Sequence, residues 1–191
     1  VHERTGRDFV IKGKTDLKLG LKPRLVLEDL SFANADWSDT PKMLKANKFE
    51  VQLDLIPLLK GKILIKRFVL KNSEILIEKN SQGLMNYTFT TGDQREGKSQ
   101  ETKVNISNIV FNEFVIEECK LIYHDAKAKI KKIWDIKHIQ AMATDLHSPL
   151  DLDVIINYDH LDISAKGSIG SIASLLKKEQ KYPFELNAFI N

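Results

Sequence analysis

The chain has 191 residues, which is enough to bury a core as a single domain. Its formal net charge of +3 is too small to predict a nucleic-acid-binding protein, and no aromatic-and-basic motif that reads single strands is present. The single cysteine excludes an internal disulfide, and no stretch approaches the roughly 20 apolar residues of a transmembrane helix.

The first third of the chain alternates apolar and polar side chains, a pattern that predicts half-buried strands. We predict these strands over residues 9–19, 24–32 and 49–53. Before the third strand, Pro41 is typical of the first turn of a helix, so we predict a short helix over 41–46. Alternation stops again at 55–61, where we predict one helical turn.

A pattern that occurs twice, at 67–79 and 113–125, is the strongest signal in the sequence. The first copy holds the apolar triplets 68–70 and 75–77 around a polar segment, and the second copy repeats this order at matching positions. Each copy therefore predicts a strand, a tight turn and a second strand. A hairpin cannot bury its apolar face alone, so we expect both hairpin units to lie in a longer sheet.

The strand predicted over 62–70 is apolar on both faces, and each face needs cover. From the residues alone, an ordinary protein core on both sides is the interpretation that we favour. A face lined by lipid is the alternative.

Residues 90–102 contain no large apolar side chain, which is typical of a solvated loop. We predict a strand over 84–89 before this loop. The chain then forms one domain, 1–191, with two halves, 1–89 and 103–191, that the loop joins.

Lysines alternate with smaller or apolar residues over 127–132, as on a strand with one charged face. We expect a solvated edge strand on which lysine prevents edge-to-edge pairing. Contact with anionic lipid headgroups is the alternative.

The clearest hairpin covers 151–166, where two alternating strands flank a turn at 159–160. A two-turn helix over 171–178 and a last strand over 183–190 follow. The sequence thus predicts a mainly β fold, α+β by strict count, with about ten strands and three short helices. Because most connections are short, we expect a curved, mostly antiparallel sheet of repeated hairpin units with the helices packed on it.

Tyr123-His124-Asp125 with Cys119 nearby is the combination that suggests a nucleophile and a base. However, Cys119 lies in a predicted turn, His124 lies on the polar face of its strand, and no glycine elbow accompanies them. The five histidines lack the spacing of metal ligands. We therefore expect no catalytic residue, metal, cofactor or enzymatic activity.

Several short segments also occur together in one order. They are Thr5–Arg7, Leu25–Asn34, Ala35–Trp37, Pro41–Leu44, Phe49–Leu55, Leu58–Leu59, Gly61–Ile63, Gly83–Tyr87, Gly167–Gly170, Leu175–Leu176 and Tyr182–Pro183. In this order and spacing they resemble the AsmA family of Gram-negative bacteria, especially its N-terminal region. Where members usually have Asn-Trp, this chain has Asn86-Tyr87, which keeps an aromatic residue.

The resemblance implies a periplasmic protein that an N-terminal helix anchors to the inner membrane and that influences outer-membrane assembly. The chain starts at Val1 without a methionine, and we expect it to be a fragment whose anchor lies outside this sequence. The family is similar to bridge-type lipid transfer proteins, whose curved sheets carry acyl chains along an apolar groove. The resemblance implies no catalytic residues.

We therefore expect a protein whose apolar sheet face handles phospholipid acyl chains. Our candidate contacts are the inward rows of the two units: Ile75, Ile77, Leu121 and Tyr123. Burial contributes about 0.8 kcal/mol per methylene, so an acyl chain needs no specific hydrogen bonds. The alternative is an interaction module for outer-membrane assembly components that holds no lipid and pairs an open sheet edge with a partner strand.

Overall fold

A computed structural model of the chain describes residues 6–57, 63–88, 109–145, 147–175 and 183–191. Within these ranges the strands form one ten-stranded sheet. In chain order the strands are β1 (Phe9–Ile11), β2 (Thr15–Lys18), β3 (Arg24–Ala33), β4 (Lys42–Asp54), β5 (Ile63–Lys79), β6 (Ile109–Asp125), β7 (Ile130–Met142), β8 (Leu150–Tyr158), β9 (Leu161–Ile169) and β10 (Phe184–Ile190). One helix, α1 (Ile172–Leu175), follows β9.

The strands lie side by side in chain order from β3 to β10, and β1 and β2 both pair with β3 at one edge. Every pairing is antiparallel except that of β5 with β6. The prediction of a mainly β fold with a mostly antiparallel sheet is confirmed. Strands joined by tight turns run antiparallel, whereas parallel strands need a long connection, which residues 80–108 supply.

The duplicated pattern forms β5 and β6, and each copy is one continuous strand of 17 residues. The prediction of two hairpin units is therefore wrong. Asn72 and Glu118, which lie in the predicted turns, have φ angles of 47° and 51°, but each kinks its strand without reversing it. The two copies pair in parallel and in register, so that Phe68 lies opposite Phe114 and every residue has its counterpart as a neighbour.

The two kinks belong to a row of irregular positions that crosses five strands. The regular pairing skips Asp29, Asn47, Asn72, Glu118 and Lys137, whose neighbours on both sides remain paired. We call these five positions the kink row. Each skipped residue resets the alternation of side chains, as a β-bulge does. Residues an odd number of positions apart can then share one face, as Leu27 and Leu30 do in one apolar cluster.

Two local predictions are wrong, and tertiary pairing overrides the first of them. The segment 41–46, predicted as a helix, belongs mostly to β4, which is hydrogen-bonded to β3 and β5 on its two sides. The segment 84–88, predicted as a strand, forms a turn with one bridge between Met85 and Lys79.

Other predictions are confirmed at least in part. The hairpin over 151–166 is β8 and β9, and its turn residues Asp159 and His160 have positive φ, as a two-residue β-hairpin turn requires. The last predicted strand is β10. Of the helix predicted over 171–178, residues 172–175 are helical, residue 171 is not, and 176–178 lie outside the described residues. Of the helical turn predicted over 55–61, residues 55–57 form a turn and 58–61 lie outside them. The predicted loop 90–102 also lies outside them, and the division into two halves stays a prediction.

The predicted lysine strand over 127–132 is divided between two elements. Residues 126–129 form the turn between β6 and β7, and 130–132 begin β7. Within the described residues, 130–132 pair with β6 but not with β8, whose pairing begins at Trp134, so the prediction of an edge strand is confirmed for these residues only.

Candidate functional site

One face of the sheet is apolar from β1 to β10. Paired residues of neighbouring strands point to the same face, so the registers define rows of side chains that cross the sheet. The first row is Leu17, Leu25, Val51, Phe68, Phe114, Ala141, Leu152, Gly167 and Leu186. The second is Thr15, Leu27, Phe49, Leu70, Ile116, Ile139, Val154, Ala165 and Ala188.

Two further rows lie on the other side of the kink row. The third row is Ile11, Leu30, Ala46, Ser73, Cys119, Ile136, Ile156, Ile163 and Ile190. The fourth is Phe9, Phe32, Leu44, Ile75, Leu121, Trp134, Tyr158 and Leu161. No residue in these four rows carries a charge. We call this surface the apolar face.

The four candidate lipid contacts all lie on this face. Ile75 and Leu121 are direct neighbours in the fourth row, and Ile77 and Tyr123 form a shorter row beyond it. All four side chains are half-buried. The structure thus brings the four candidates together, and their contact with lipid stays a prediction. Sequence reasoning missed the other rows because it did not foresee that the kink row resets the alternation.

Aromatic rings line two parts of the apolar face. Phe68 lies between Phe49, at 5.6 Å and 84° between ring planes, and Phe114, at 5.0 Å and 8°. On the neighbouring strands, Trp134 stacks on Tyr158 with ring centroids 5.5 Å apart. Such pairs stabilise a surface beyond the area that they bury, so these parts of the face are held in a defined shape.

Accessibility changes across the apolar face. On β3 to β5, Leu27, Ala46 and Leu70 are at most 4% exposed and form one cluster. Towards β10, Leu161 is 47% exposed and Ile190 66%. At the β1–β2 edge, Leu17 is 56% exposed. The apolar face is therefore buried in the middle of β3 to β5 and open to a ligand towards both edges of the sheet.

The helix α1 covers part of one end of the apolar face. Ile172 is buried in a cluster with Ala141, Ala143 and Leu150, against which Phe114 also packs. A short helix is sufficient for this role because one apolar side chain fills the space between the ends of the strands.

The opposite face of the sheet is polar and is held by ion pairs. Buried Glu50 accepts a 2.9 Å hydrogen bond from Nε of Arg24, lies 3.3 Å from Nε of Arg67, and is 3.8 Å from Nζ of Lys48. The hydrogen bond from Arg24, together with these positive charges, lowers the pKa of Glu50. The first part of β5 was predicted to be apolar on both faces. Its residue Val69 lies beside Glu50 on the polar face and is only 1% exposed, so this face of the strand is covered at Val69.

A buried polar cluster fixes the end of β5. Asn86 is fully buried, and its amide donates to Oδ1 of Asn34 at 3.0 Å and to the Leu76 carbonyl at 2.7 Å. The amide of Asn34 donates to Glu78 at 2.7 Å, and Arg7 donates to the Asn86 carbonyl. Arg7, Asn34 and Asn86 come from three of the segments that carried the family resemblance, so these segments meet in one structural cluster.

Cys119 and His124 are not brought together, since they lie on opposite faces of β6. Cys119 is buried on the apolar face, and burial raises the pKa of its thiol. His124 lies on the polar face with Nδ1 3.4 Å from Glu78. In the part of the chain that the structure describes, no three His, Cys, Asp or Glu side chains are grouped as metal ligands, and no helix could cross a membrane.

Comparison with known proteins gives one match. The model of the AsmA family matches residues 1–172 of the chain. No curated protein and no solved structure matches.

Proposed function

Because the chain belongs to the AsmA family, we propose that its apolar face binds the acyl chains of phospholipids during biogenesis of the outer membrane. Membership is consistent at the family level with outer-membrane assembly or lipid transport. The finer assignment, to phospholipid and to this face, is our proposal.

The observation that carries this proposal is the uncharged character of four complete rows of side chains. Three of the rows cross nine strands and the fourth crosses eight. Strands lie about 4.8 Å apart, so each row is roughly 34–38 Å long. One leaflet of a bilayer has a hydrocarbon thickness of about 15 Å, half of the roughly 30 Å core. A whole acyl chain therefore fits along the rows without meeting a charged side chain.

The energetics favour an unspecific apolar ligand. Each methylene that leaves water contributes about 0.8 kcal/mol, so partial burial of one acyl chain suffices for binding. The ion-paired polar face, with Glu50 between Arg24 and Arg67, is suited to water. In this proposal the protein acts in the periplasm, is held at the inner membrane by a segment outside this chain, and catalyses no reaction.

Site-specific photocross-linking in cells tests the proposal. A photoactivatable residue at Ile77 or Tyr123, on the apolar face, should capture phospholipid. The matched controls are Glu74 and Lys120, which lie on the same two strands, are exposed, and point to the polar face. Lipid captured equally at all four positions, or at none of them, would contradict acyl-chain binding at this part of the face.

The edge strand β10 favours a second candidate function, the pairing of the sheet with a strand of a partner protein. Phe184 is 74% exposed and Phe189 65%, and within the described residues β10 pairs only with β9. Unprotected edges of this kind accept an added strand. A protein cross-linked through Phe189, together with no lipid at Ile77 or Tyr123, would favour this second function.

A further inference from the structure

A second surface stands out at the end of the sheet where β5 and β6 end. It consists of the turn after β5, residues 80–88, and the segment 126–133, which contains the β6–β7 turn and the first residues of β7. The two segments begin next to each other, because the amide of Ala126 donates at 2.8 Å to the carbonyl of Lys79, the residue before the first segment. We call this surface the basic tip.

The basic tip concentrates positive charge. Its two segments contain four lysines, at 127, 129, 131 and 132, and no aspartate or glutamate. The whole chain has a net charge of only +3, so these lysines are an excess that the rest of the chain offsets. Among the described residues, no carboxylate lies within ion-pair distance of any of the four.

The nearest carboxylates are already engaged. Asp125 accepts hydrogen bonds from Nζ of Lys79 at 3.2 Å and from the amide of Ala128 at 2.9 Å. These contacts lower the pKa of Asp125, the bond from Ala128 most strongly. Glu78 accepts a hydrogen bond from Asn34 and lies near His124. Asp125 thus stabilises the turn through the amide of Ala128. It forms no ion pair with the four lysines of the basic tip, which remain available to an external anion.

Both segments of the basic tip also carry exposed apolar side chains. Leu84 is 43% exposed, Tyr87 50%, Ile130 41% and Ile133 41%. The first four residues of β7 extend past the end of β8, whose pairing begins at Trp134. Within the described residues, 130–133 therefore pair with β6 alone, and their other edge is open.

We propose that the basic tip docks the sheet onto the surface of an anionic lipid bilayer. Lysine ammonium groups attract the negative surface of such a bilayer, while aromatic and aliphatic side chains enter the headgroup region. The exposed apolar residues favour a bilayer over nucleic acid, since a polyanion would bind the lysines and leave Leu84, Ile130 and Ile133 in water.

The docking surface adjoins the apolar face. Lys132 pairs with Tyr123, which pairs in turn with Ile77, so the short row of the apolar face ends at the basic tip. Docking rests on the charge and exposure of the tip and does not require the proposed acyl-chain binding. Each of the two proposals can therefore fail without the other.

Flotation of the 191-residue chain with lipid vesicles tests docking. We expect binding to vesicles of phosphatidylcholine with phosphatidylglycerol, weakening as salt rises, and little binding to phosphatidylcholine alone. The tip variant carries Lys127→Gln, Lys129→Gln, Lys131→Gln and Lys132→Gln. Each lysine near an anionic surface contributes about fivefold in affinity, so this variant should bind several hundredfold more weakly.

The matched control removes the same charge from the edge of the sheet at β1 and β2, by Lys12→Gln, Lys14→Gln, Lys18→Gln and Lys22→Gln. All four of these lysines are exposed. The control should lose far less binding, and circular dichroism should show both variants folded. Equal loss in the two variants, or equal binding of the wild type to neutral vesicles, would overturn docking by the tip.

A second pair of variants tests the apolar part of the tip. Ile130→Ser with Ile133→Ser should weaken binding to anionic vesicles severalfold without changing its salt dependence. Ile155→Ser, on an equally exposed isoleucine of β8, should not. Full binding by the double variant, or competition by soluble glycerol phosphate, would show that the lysines bind phosphate without a bilayer and would overturn the proposal.

Discussion

Phe68 stacks on Phe114, with ring centroids 5.0 Å apart and ring planes 8° from parallel. The two residues occupy the same position in the two copies of the duplicated pattern, and they are direct neighbours on parallel strands. The repetition in the sequence is therefore expressed as a ladder of equivalent residues.

The charges of the two copies are complementary along this ladder. Where the first copy has a charge, the second has the opposite charge or a histidine, in the register pairs Arg67/Glu113, Lys71/Glu117, Glu74/Lys120, Glu78/His124 and Lys79/Asp125. Ion pairs form at three of these five, and at a fourth Nδ1 of His124 lies 3.4 Å from Glu78. Opposite charges on paired strands stabilise one register and destabilise shifted ones.

The aromatic stack should show energetic coupling. We expect Phe68→Ala and Phe114→Ala each to lower the free energy of unfolding by about 2–4 kcal/mol, because each removes a large side chain from a packed surface. The double variant should deviate from additivity by about 0.5–1.5 kcal/mol, measured by urea denaturation. Phe68→Ala combined with Phe189→Ala, at the exposed edge, is the additive control. Additivity in the first pair would mean that the stacking contributes nothing.

The complementary charges should act as a pair. Lys71→Glu places a second carboxylate directly opposite that of Glu117. It should destabilise the protein by only about 0.5–1 kcal/mol, because the side chains at both positions are partly exposed. The swapped double variant, Lys71→Glu with Glu117→Lys, should recover most of that loss in thermal denaturation. If the swap is no more stable than Lys71→Glu alone, the two strands do not pair in this register.

The kink row should depend on backbone conformation. Asn72 has a φ of 47°, which β-branched residues rarely adopt, so Asn72→Val should cost about 1–2 kcal/mol while Asn72→Gly should be nearly neutral. Asn47 is the neighbour of Asn72 in the kink row, but its φ is not positive. Asn47→Val is therefore the matched control, and we expect it to cost less stability. Chemical denaturation measures all three. A neutral Asn72→Val would be incompatible with the kink.

Glu50 should make the protein sensitive to acid. Its pKa is lowered in the folded state, mainly by the hydrogen bond from Arg24. The stability that this carboxylate contributes is therefore complete above the ordinary glutamate pKa and is lost as pH falls through the lowered one. The slope of stability against pH measures the number of protons taken up on unfolding. In that acidic range, Glu50→Gln should reduce this number by up to one. An unchanged slope in Glu50→Gln would contradict this role of the carboxylate.

The sequence by itself determined the class of fold and one part of the apolar face. Alternation along each strand is a property of neighbouring residues, so β3, β8, β9 and β10 could be predicted directly, as could the side shared by Ile75, Ile77, Leu121 and Tyr123. The shared side of these four could be predicted because all lie beyond the kink, where alternation is regular. The complementary charges of the two copies were also present in the sequence as a signal for direct pairing.

Only the tertiary structure decided how the polar segments at Asn72 and Glu118 are used. A residue with positive φ is compatible with a hairpin turn or with a kink inside a strand, and local sequence does not distinguish the two. The neighbours decide it, because the kinks of β3, β5 and β6 are aligned in one row and because β4 continues through its predicted helix to pair on both sides. Likewise, the basic tip exists only because pairing of β5 with β6 places two separate turns side by side.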